Sequence, residues 1–427
     1  MTAPAFIFES FDFDAASGVL SLRYAFEGAE KFEERITFPA PETYDHGAAE
    51  RIFRLIFLLA GVSYYKTRAP RVLKCPAFAV DADTAAFVTR VYTLGLAEFA
   101  YKNRLDLAGH IQFSGHGTAL GPLRLAMKER ILIPVGGGKD SIVTLEALRR
   151  HNPTLFALGA PGGAAQPIAD TIRVSGLTSI YVSRLLSPQL GVMNARGAYN
   201  GHVPITAILS AIAVACAILY GYRAVVLSNE HSASVPNFDD VNHQYSKSLE
   251  FERDFAGWLA AHVSPDIAYF SFLRPLSEIA IAQRFARHGA YHDIFRSCNT
   301  AFRQDAAARG THWCRNCPKC RFVFLALAPF VERTRLAQIF GGNMLDDMAQ
   351  AEGFAELCGV AAFKPFECVG EVEESAAALA HLAQMPEWRD DAVVAALAGR
   401  VRGGNFAALF DLYPDHRVPP AYLGDLA

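Results

Sequence analysis

The chain has no basic tail and no dense run of lysine and arginine. Its 40 Lys and Arg face 43 Asp and Glu, a formal net charge of −3, so the electrostatic footprint of a nucleic-acid binder is missing. Internal repeats and low-complexity tracts are missing too, which argues against solenoids and long disordered arms. The opening MTAPAFIFESFDFD has neither a basic start nor a long apolar stretch, so no secretory signal is read there and a cytoplasmic location is expected. Cysteine is sparse, at eight in 427 residues. Three of the eight crowd into one CxxCxxC spacing, which suits a reducing compartment with a metal site better than a disulfide framework. What is plentiful is apolar: 52% hydrophobic and 11% aromatic residues supply core for two or three domains.

One long apolar run stands out. VPITAILSAIAVACAILYGY (Val203–Tyr222) contains no charge and is long enough to cross a bilayer. It is also rich in Ala, carries Thr206 and Ser210, and lies between two polar loops. A helix buried between a sheet and neighbouring elements has this same signature and is the expected reading.

The segments Gly18–Phe26 and Phe32–Phe38 flank GAEK as a hairpin, and Ala48–Ala60 and Ala85–Asn103 are patterned as helices. Residues 1–127 are therefore expected to form an N-terminal α+β region. From Glu129 the pattern alternates. Strands are predicted at Ile131–Val135, Thr154–Leu158, Ser179–Val182, Ala224–Leu227 and Ile267–Phe270. Helices are predicted at Lys139–Arg150, Ala165–Ser175, Ile205–Tyr220, Gln244–His262 and Ser277–Arg287. Such alternation implies an α/β fold with a doubly wound parallel sheet, spanning residues 128–321. Residues 322–427 read as a helical region, with predicted helices at 322–332, 336–340, 344–353, 374–382, 390–397 and 405–412.

Ligands bind such sheets beyond the carboxyl ends of the strands, and that is where the polar strings fall. The first predicted strand leads into Gly136-Gly137-Gly138-Lys139-Asp140-Ser141. A glycine turn opening a helix lets the backbone approach an anion and offers it free N–H groups and a positive helix end. The Walker pattern GxxxxGK[ST] fails here, because Ile133 replaces its first Gly and Asp140 follows the Lys. The remaining strings are NARGAYNGHVP (Asn194–Pro204), SNEHSAS (Ser228–Ser234), VNHQYSKS (Val241–Ser248) and SFLRPLSE (Ser271–Glu278). Tyr64, Tyr65 and Lys66 of GVSYYK could touch substrate, though a buried tyrosine pair beside a surface lysine explains them as well.

Cys314, Cys317 and Cys320 can aim three sulfurs at one centre, and Cys298 lies upstream to close a tetrahedron. That is the saturated set of structural Zn²⁺. Four thiolates would also satisfy an iron–sulfur cluster. Zinc is preferred because nothing else in the chain suggests redox chemistry. Cys216, inside the apolar run, is read as core.

The glycine loop resembles the [ST]GGxDS PP-loop of ATP pyrophosphatases, with Gly136 in the Ser/Thr position, and the cysteine clip resembles that of the 7-cyano-7-deazaguanine synthases. GGGKDS, NGHVP, SNEHSAS, VNHQYSKS, LRPLSE, SCN and WCRNCPKC taken together, with GVSYYK, EFAYKN and KPFECVG, resemble the UDP-N-acetylmuramoyl-L-alanyl-L-glutamate epimerases (MurL). The resemblance runs through nearly the whole chain. It implies a PP-loop (HUP-type) sheet and inversion of the terminal L-Glu of UDP-MurNAc-L-Ala-L-Glu, using ATP and Mg²⁺, in peptidoglycan precursor synthesis. It also implies an L-Glu-adding Mur ligase acting just upstream, no nucleic-acid partner and no membrane insertion.

On this resemblance Gly136, Gly137, Gly138, Lys139, Asp140 and Ser141 would hold ATP together with Ser228, Asn229 and Glu230. Asp140 and Glu230 are the candidate Mg²⁺ ligands and are counted with the catalytic set. His202, His243 and Lys247 are candidates for proton transfer, and Asn200, Asn242, Lys247, Arg274 and Lys364 for substrate binding. Alternatives are an amide- or nitrile-forming PP-loop ligase that traps the activated carboxylate with an amine, a tRNA-modifying PP-loop enzyme, and a nucleotide-binding regulator without catalysis.

Overall fold

Among the described residues nine strands form one mixed sheet in the order β4-β1-β2-β3-β7-β6-β5-β8-β9. The structure is a computed structural model and describes residues 5–235, 245–302, 310, 312–361, 367 and 369–426. β1 (Phe6–Asp14), β2 (Val19–Phe26) and β3 (Lys31–Thr37) are an antiparallel meander. The two-residue β4 (Leu73–Lys74) runs parallel to β1. β3 then pairs antiparallel with β7 (Ser179–Leu185). From there β6 (Thr154–Gly159), β5 (Lys128–Pro134), β8 (Tyr222–Leu227) and β9 (Ala268–Ser271) continue in parallel. The five predicted parallel strands are therefore present, and the N-terminal meander extends their sheet.

Within the parallel part the spatial order is third, second, first, fourth, fifth. The chain winds outward one way from β5 and then returns to wind the other way through β8. The crevice between the carboxyl ends of β5 and β8 is the topological switch point, the place such sheets bind ligands.

Strand side chains alternate between two cores. Leu132 points into an apolar cluster with the helices His46–Ala60, Ile205–Tyr220 and Leu249–His262. Ile131 and Ile133 point into a second cluster with Lys139–Ala147, Glu278–Ala286 and the C-terminal helices. The uncharged run is the helix Ile205–Tyr220, packed between β8 and the helix His46–Ala60. Its Ser210 hydroxyl is satisfied at 2.7 Å by that of Tyr269. Among the described residues no helix is long and apolar enough to cross a membrane.

Several expectations are corrected. The predicted helix Ala85–Asn103 is two, Ala82–Gly95 and Ala97–Asn103, because the backbone turns at Leu96 (φ −102°, ψ 13°) where Pro204 packs on Gly95. The helix after the glycine loop stops at Ala147 and passes into a 3-10 turn, Arg149–His151. β1 and the helix Pro188–Ala195 add to the predicted elements. The helix predicted at 322–332 starts earlier, at Pro318, with Cys317 as its N-cap and proline in its first turn. The predicted 405–412 helix is only a 3-10 segment, Phe406–Phe410.

Candidate active site

β5 ends in the glycine loop. Gly137 adopts φ +74°, the left-handed region that favours glycine. A Cβ there would lie 2.7 Å from the carbonyl carbon of Pro167. Gly136 has open space around its Cβ position. Gly138 is the N-cap of the helix Lys139–Ala147 without a side-chain capping bond, so the helix N-terminus is left for a ligand. Ser141 Oγ donates to Gly138 O at 3.2 Å and shapes the turn. From the other side, the N–H of Arg296 donates to Gly137 O at 2.9 Å. Among the described residues the hydroxyls of Ser228, after β8, and of Ser297, beside Gly138, are buried without a hydrogen-bond partner. Orphaned hydroxyls next to a glycine cradle fit a missing polar ligand.

Lys139 is 3% exposed, and its ammonium bridges the carboxylates of Asp140 and Glu278. Burial works against that charge, but the two carboxylates outweigh it and hold the lysine protonated. Glu278, the last residue of SFLRPLSE, opens the helix Glu278–Ala286 and is buried. Burial raises its pKa well above the carboxylate range; Lys139 opposes this, while the charges of Asp140, Glu230 and Glu374 add to it. Two carboxylates thus grip one ammonium, and the charges of two more act on Glu278.

Sequence reasoning missed Glu278 and Glu374. Glu278 looks like an ordinary first-turn acid, and Glu374 looks like the N3 member of a capping box, which it is. Neither local pattern announces a second partner across the fold.

The second group of motifs meets on the other side of SNEHSAS. Lys66 Nζ donates to Asn200 Oδ1 at 2.8 Å and to Gly201 O at 2.9 Å. Asn103 Nδ2 donates to Asn200 O at 3.1 Å. GVSYYK, EFAYKN and NGHVP therefore converge. Lys66 is buried rather than on the surface, and that burial lowers its pKa. Tyr64 and Tyr65 are core; the Tyr64 hydroxyl donates to Glu34 Oε2 at 2.8 Å. His202 Nδ1 lies 3.8 Å from Glu98 Oε2. Burial pushes His202 below its usual range; Glu98 opposes this, and the charges of Lys247, Lys102 and Lys66 reinforce it. The neutral form of its imidazole is thereby favoured. A cavity of about 760 Å³ adjoins this region, lined by Ala100, Tyr101, Ser234, Tyr245 and Ser248 among others.

Arg274 joins the two sides. It is fully buried, with Nη1 donating to Glu230 O at 2.5 Å and to Ser234 Oγ at 3.1 Å. Its Nη2 donates to Lys247 O at 2.5 Å and to Glu252 Oε2 at 3.2 Å. The guanidinium is a strut that fixes the loops carrying Glu230 and Lys247. Asn229 Nδ2 donates to Ser271 Oγ at 3.1 Å, tying the ends of β8 and β9. Asn242, His243 and Lys364 lie outside the described residues. Another cavity, of about 990 Å³, opens at the opposite ends of the strands, near Lys128, Ser179 and Tyr222, and contains none of the motif residues.

Cys298, Cys314, Cys317 and Cys320 bring their sulfurs within 4.8 Å of one another. Cys314 to Cys320 is 3.6 Å and Cys317 to Cys320 is 3.4 Å. A tetrahedron with 2.3 Å metal–sulfur bonds has edges of about 3.8 Å, so the cluster fits one ion such as zinc. Asn316 N–H donates to Cys314 Sγ at 3.5 Å, the turn being completed by Arg315 at φ +55°. Cys298 follows two residues after Arg296, whose N–H braces the glycine loop. Cys216 is buried in its helix as expected.

Comparison with known proteins agrees with this architecture. The family model of the MurL N-terminal domain matches residues 1–272 and that of the MurL C-terminal domain matches residues 294–407. A protein of Xanthomonas oryzae pv. oryzae is 42% identical over 96% of this chain and 93% of its own length. Relatives from a Micromonospora species and from Salinispora tropica are 45% and 46% identical, over 99% and 93% of this chain and 98% and 89% of theirs. All three are named UDP-N-acetyl-alpha-D-muramoyl-L-alanyl-L-glutamate epimerase. On domain matches that cover most of its length, and on relatives aligned nearly end to end, the chain belongs to the MurL family.

Proposed function

We propose that the chain inverts the terminal L-Glu of UDP-MurNAc-L-Ala-L-Glu to D-Glu, using ATP and Mg²⁺ and releasing AMP and diphosphate. The observation that carries this reading is the glycine loop at the β5/β8 switch point, its helix N-terminus open and unpartnered hydroxyls beside it. The names of the relatives supply the substrate.

The Cα proton of a free carboxylate is very weakly acidic, because the carbanion would form beside a standing negative charge. Transfer of the adenylyl group of ATP to the carboxylate oxygen, with diphosphate leaving, would move the negative charge from the carboxylate onto the adenylate phosphate and make the acyl carbonyl an electron sink. Gly136, Gly137 and Gly138 offer main-chain N–H groups to the phosphates, and Lys139 offers its ammonium once released from Glu278. Asp140 and Glu230 present the oxygens a hard cation takes. His202, neutral and in the field of three lysines, is suited to accept the Cα proton, and Lys247 or His243 to return one from the other face. Asn200, Asn242, Arg274 and Lys364 remain assigned to substrate, Arg274 acting through the loops it holds. Hydrolysis of the mixed anhydride then frees the D-Glu carboxylate. An ATP-dependent reaction on a nucleotide-linked substrate suits the cytoplasm, immediately after a ligase that adds L-Glu.

The test is incubation with UDP-MurNAc-L-Ala-L-Glu, ATP and Mg²⁺ in D₂O, followed by hydrolysis and chiral analysis of the glutamate. D-Glu labelled at Cα, with AMP released, is the expected result. AMP without inversion would replace this reading with a ligase lacking its amine.

A further inference from the structure

The side chain of Glu374 carries the C-terminal region into the candidate site. Glu374 stands in the first turn of the helix Val372–Leu382 and is 2% exposed. Its Oε2 accepts the N–H of Glu371 at 2.9 Å, the return half of the capping box. Its Oε1 is spent outside that helix, accepting the N–H of Glu278 at 2.8 Å. That N–H is one of the orphan donors at the start of the helix Glu278–Ala286. The side chain of Glu278 in turn grips Lys139 Nζ. A chain of contacts thus runs from Glu374 through Glu278 to the cation of the glycine loop.

The geometry of that chain is over-determined. Ser277 Oγ donates to Leu409 O at 2.7 Å, and the N–H of Tyr413 donates to Pro275 O at 2.9 Å. Both pin the start of the same helix to the C-terminal region. Gly370 admits no side chain, since a Cβ there would meet Glu374 Oε2 at 2.4 Å and Phe322 Cζ at 2.5 Å. The Tyr413 ring also stacks on His231 of SNEHSAS, at 3.5 Å between centroids.

We infer that Glu374 is a positioning residue for the glycine loop, anchoring the main chain at Glu278 so that the Glu278 carboxylate sets where the Lys139 ammonium stands. What that ammonium then binds rests on the adenylating reading above. Glutamine cannot substitute for Glu374. The position needs two acceptor oxygens for two N–H groups, and an amide offers one oxygen and one opposed donor. One buried N–H is left unpaired, and the helix start that carries Glu278 is released.

Two measurements on the full chain test this. The first is acylation of Lys139 by acetic anhydride without ATP, read by mass spectrometry. Lys139 is shielded in the native protein and is expected to label several-fold faster in Glu374→Gln. The second is ATP affinity by calorimetry with Mg²⁺ for Glu374→Gln, Lys139→Met and the double variant. Glu374→Gln alone is expected to weaken ATP by about tenfold, the scale of one hydrogen bond to a charged group. In the Lys139→Met background its effect is expected to shrink below about twofold, since the coupling runs through Lys139. Unchanged labelling in folded Glu374→Gln, or full multiplicative losses in the double variant, overturns the inference. A native chain that binds no ATP defeats the adenylating reading and leaves the labelling result to decide this one. If circular dichroism shows Glu374→Gln unfolded, Glu374→Asp, one methylene too short to span both N–H groups, carries the same comparison.

Discussion

Gly136 and Gly137 are adjacent and chemically identical, yet the structure separates them. In Gly137→Ala the new Cβ must sit at φ +74°, 2.7 Å from the carbonyl carbon of Pro167 and 2.9 Å from the amide nitrogen of Ile168. The left-handed conformation costs an L residue about 1–2 kcal/mol. Overpacking against main chain, which cannot swing aside as a side chain can, adds about 1–3 kcal/mol. The stiffer unfolded chain returns only about 0.4–1 kcal/mol. The net expectation is a loss of about 2–4 kcal/mol, with the loop displaced from Pro167. In Gly136→Ser nothing lies within 4 Å of the new Cβ, so the change is expected to stay within about 0.5 kcal/mol of the native protein. It also restores the hydroxyl that the PP-loop pattern carries. Urea unfolding midpoints at unchanged m-value measure the stabilities, and ATP-dependent AMP formation measures the loop. A Gly137→Ala protein with native midpoint and native AMP formation would refute the reasoning. So would a Gly136→Ser protein as damaged as its neighbour.

Four further expectations follow from the same geometry. Arg274→Met removes a buried guanidinium and leaves the Glu252 carboxylate buried without its cation; breaking such a pair costs about 3–5 kcal/mol, measurable by denaturation. His202 is held below its usual range by burial and by three lysines, so activity is expected to fall only on the acid side of the ordinary imidazole range. Lys102→Met, which removes one of those charges and frees Glu98 to act on the ring, is expected to move that acid limb upward in a pH–rate profile. Elemental analysis is expected to find about one zinc per chain, and Cys317→Ser to lower metal content and increase proteolysis near Gly137, because Cys298 and the Arg296 brace are close in sequence. Burial, then the charge of Glu371, raises Glu374 from 4.5 to about 7. The native state therefore keeps a proton that the unfolded chain releases, and stability falls as pH rises across that window, by about 3 kcal/mol from this group. Urea midpoints at pH 5 and pH 8 check the slope, which Glu374→Gln is expected to flatten.

The glycine loop and three of the four clustered cysteines were legible because each is written in one short stretch with its spacing intact, Cys298 being the one drawn in from upstream. The five parallel strands were legible as apolar runs between turn signals, and the helix Ile205–Tyr220 matches its predicted bounds. β1 was harder to read. Its Phe6 and Phe8 are buried, but Glu9, Asp12 and Asp14 give FIFESFDFD an acidic face that resembles a solvated terminus. Lys66 was expected at the surface because lysines usually are, and its burial follows from two acceptors supplied 134 and 135 residues later. Glu278 and Glu374 were invisible for the same reason, each having its decisive partner on a distant element. Arg274 was visible as a site arginine, but its work within the fold depends on two main-chain carbonyls that no side-chain pattern encodes.

Charge accounting on the two sides of Arg274 bears on how the reaction is divided. Around the glycine loop, Asp140, Glu230, Glu278 and Glu374 outnumber Lys139. A triphosphate brought into that company adds negative charge to a surplus of it, and in a dehydrated pocket the repulsion is weakly screened. The loop can therefore accept ATP only if the surplus is neutralised, by protons retained on the raised carboxyls or by a divalent cation shared with the phosphates. The second route is the one the proposed Mg²⁺ would supply. Across the strut the balance reverses, with Lys66, Lys102, Lys247 and His202 set against Glu98. That side favours an anionic ligand, and burial first and then the same lysine field disfavour the protonated form of His202. One buried arginine holds the two loops that carry these opposite fields, so moving either loop disturbs both.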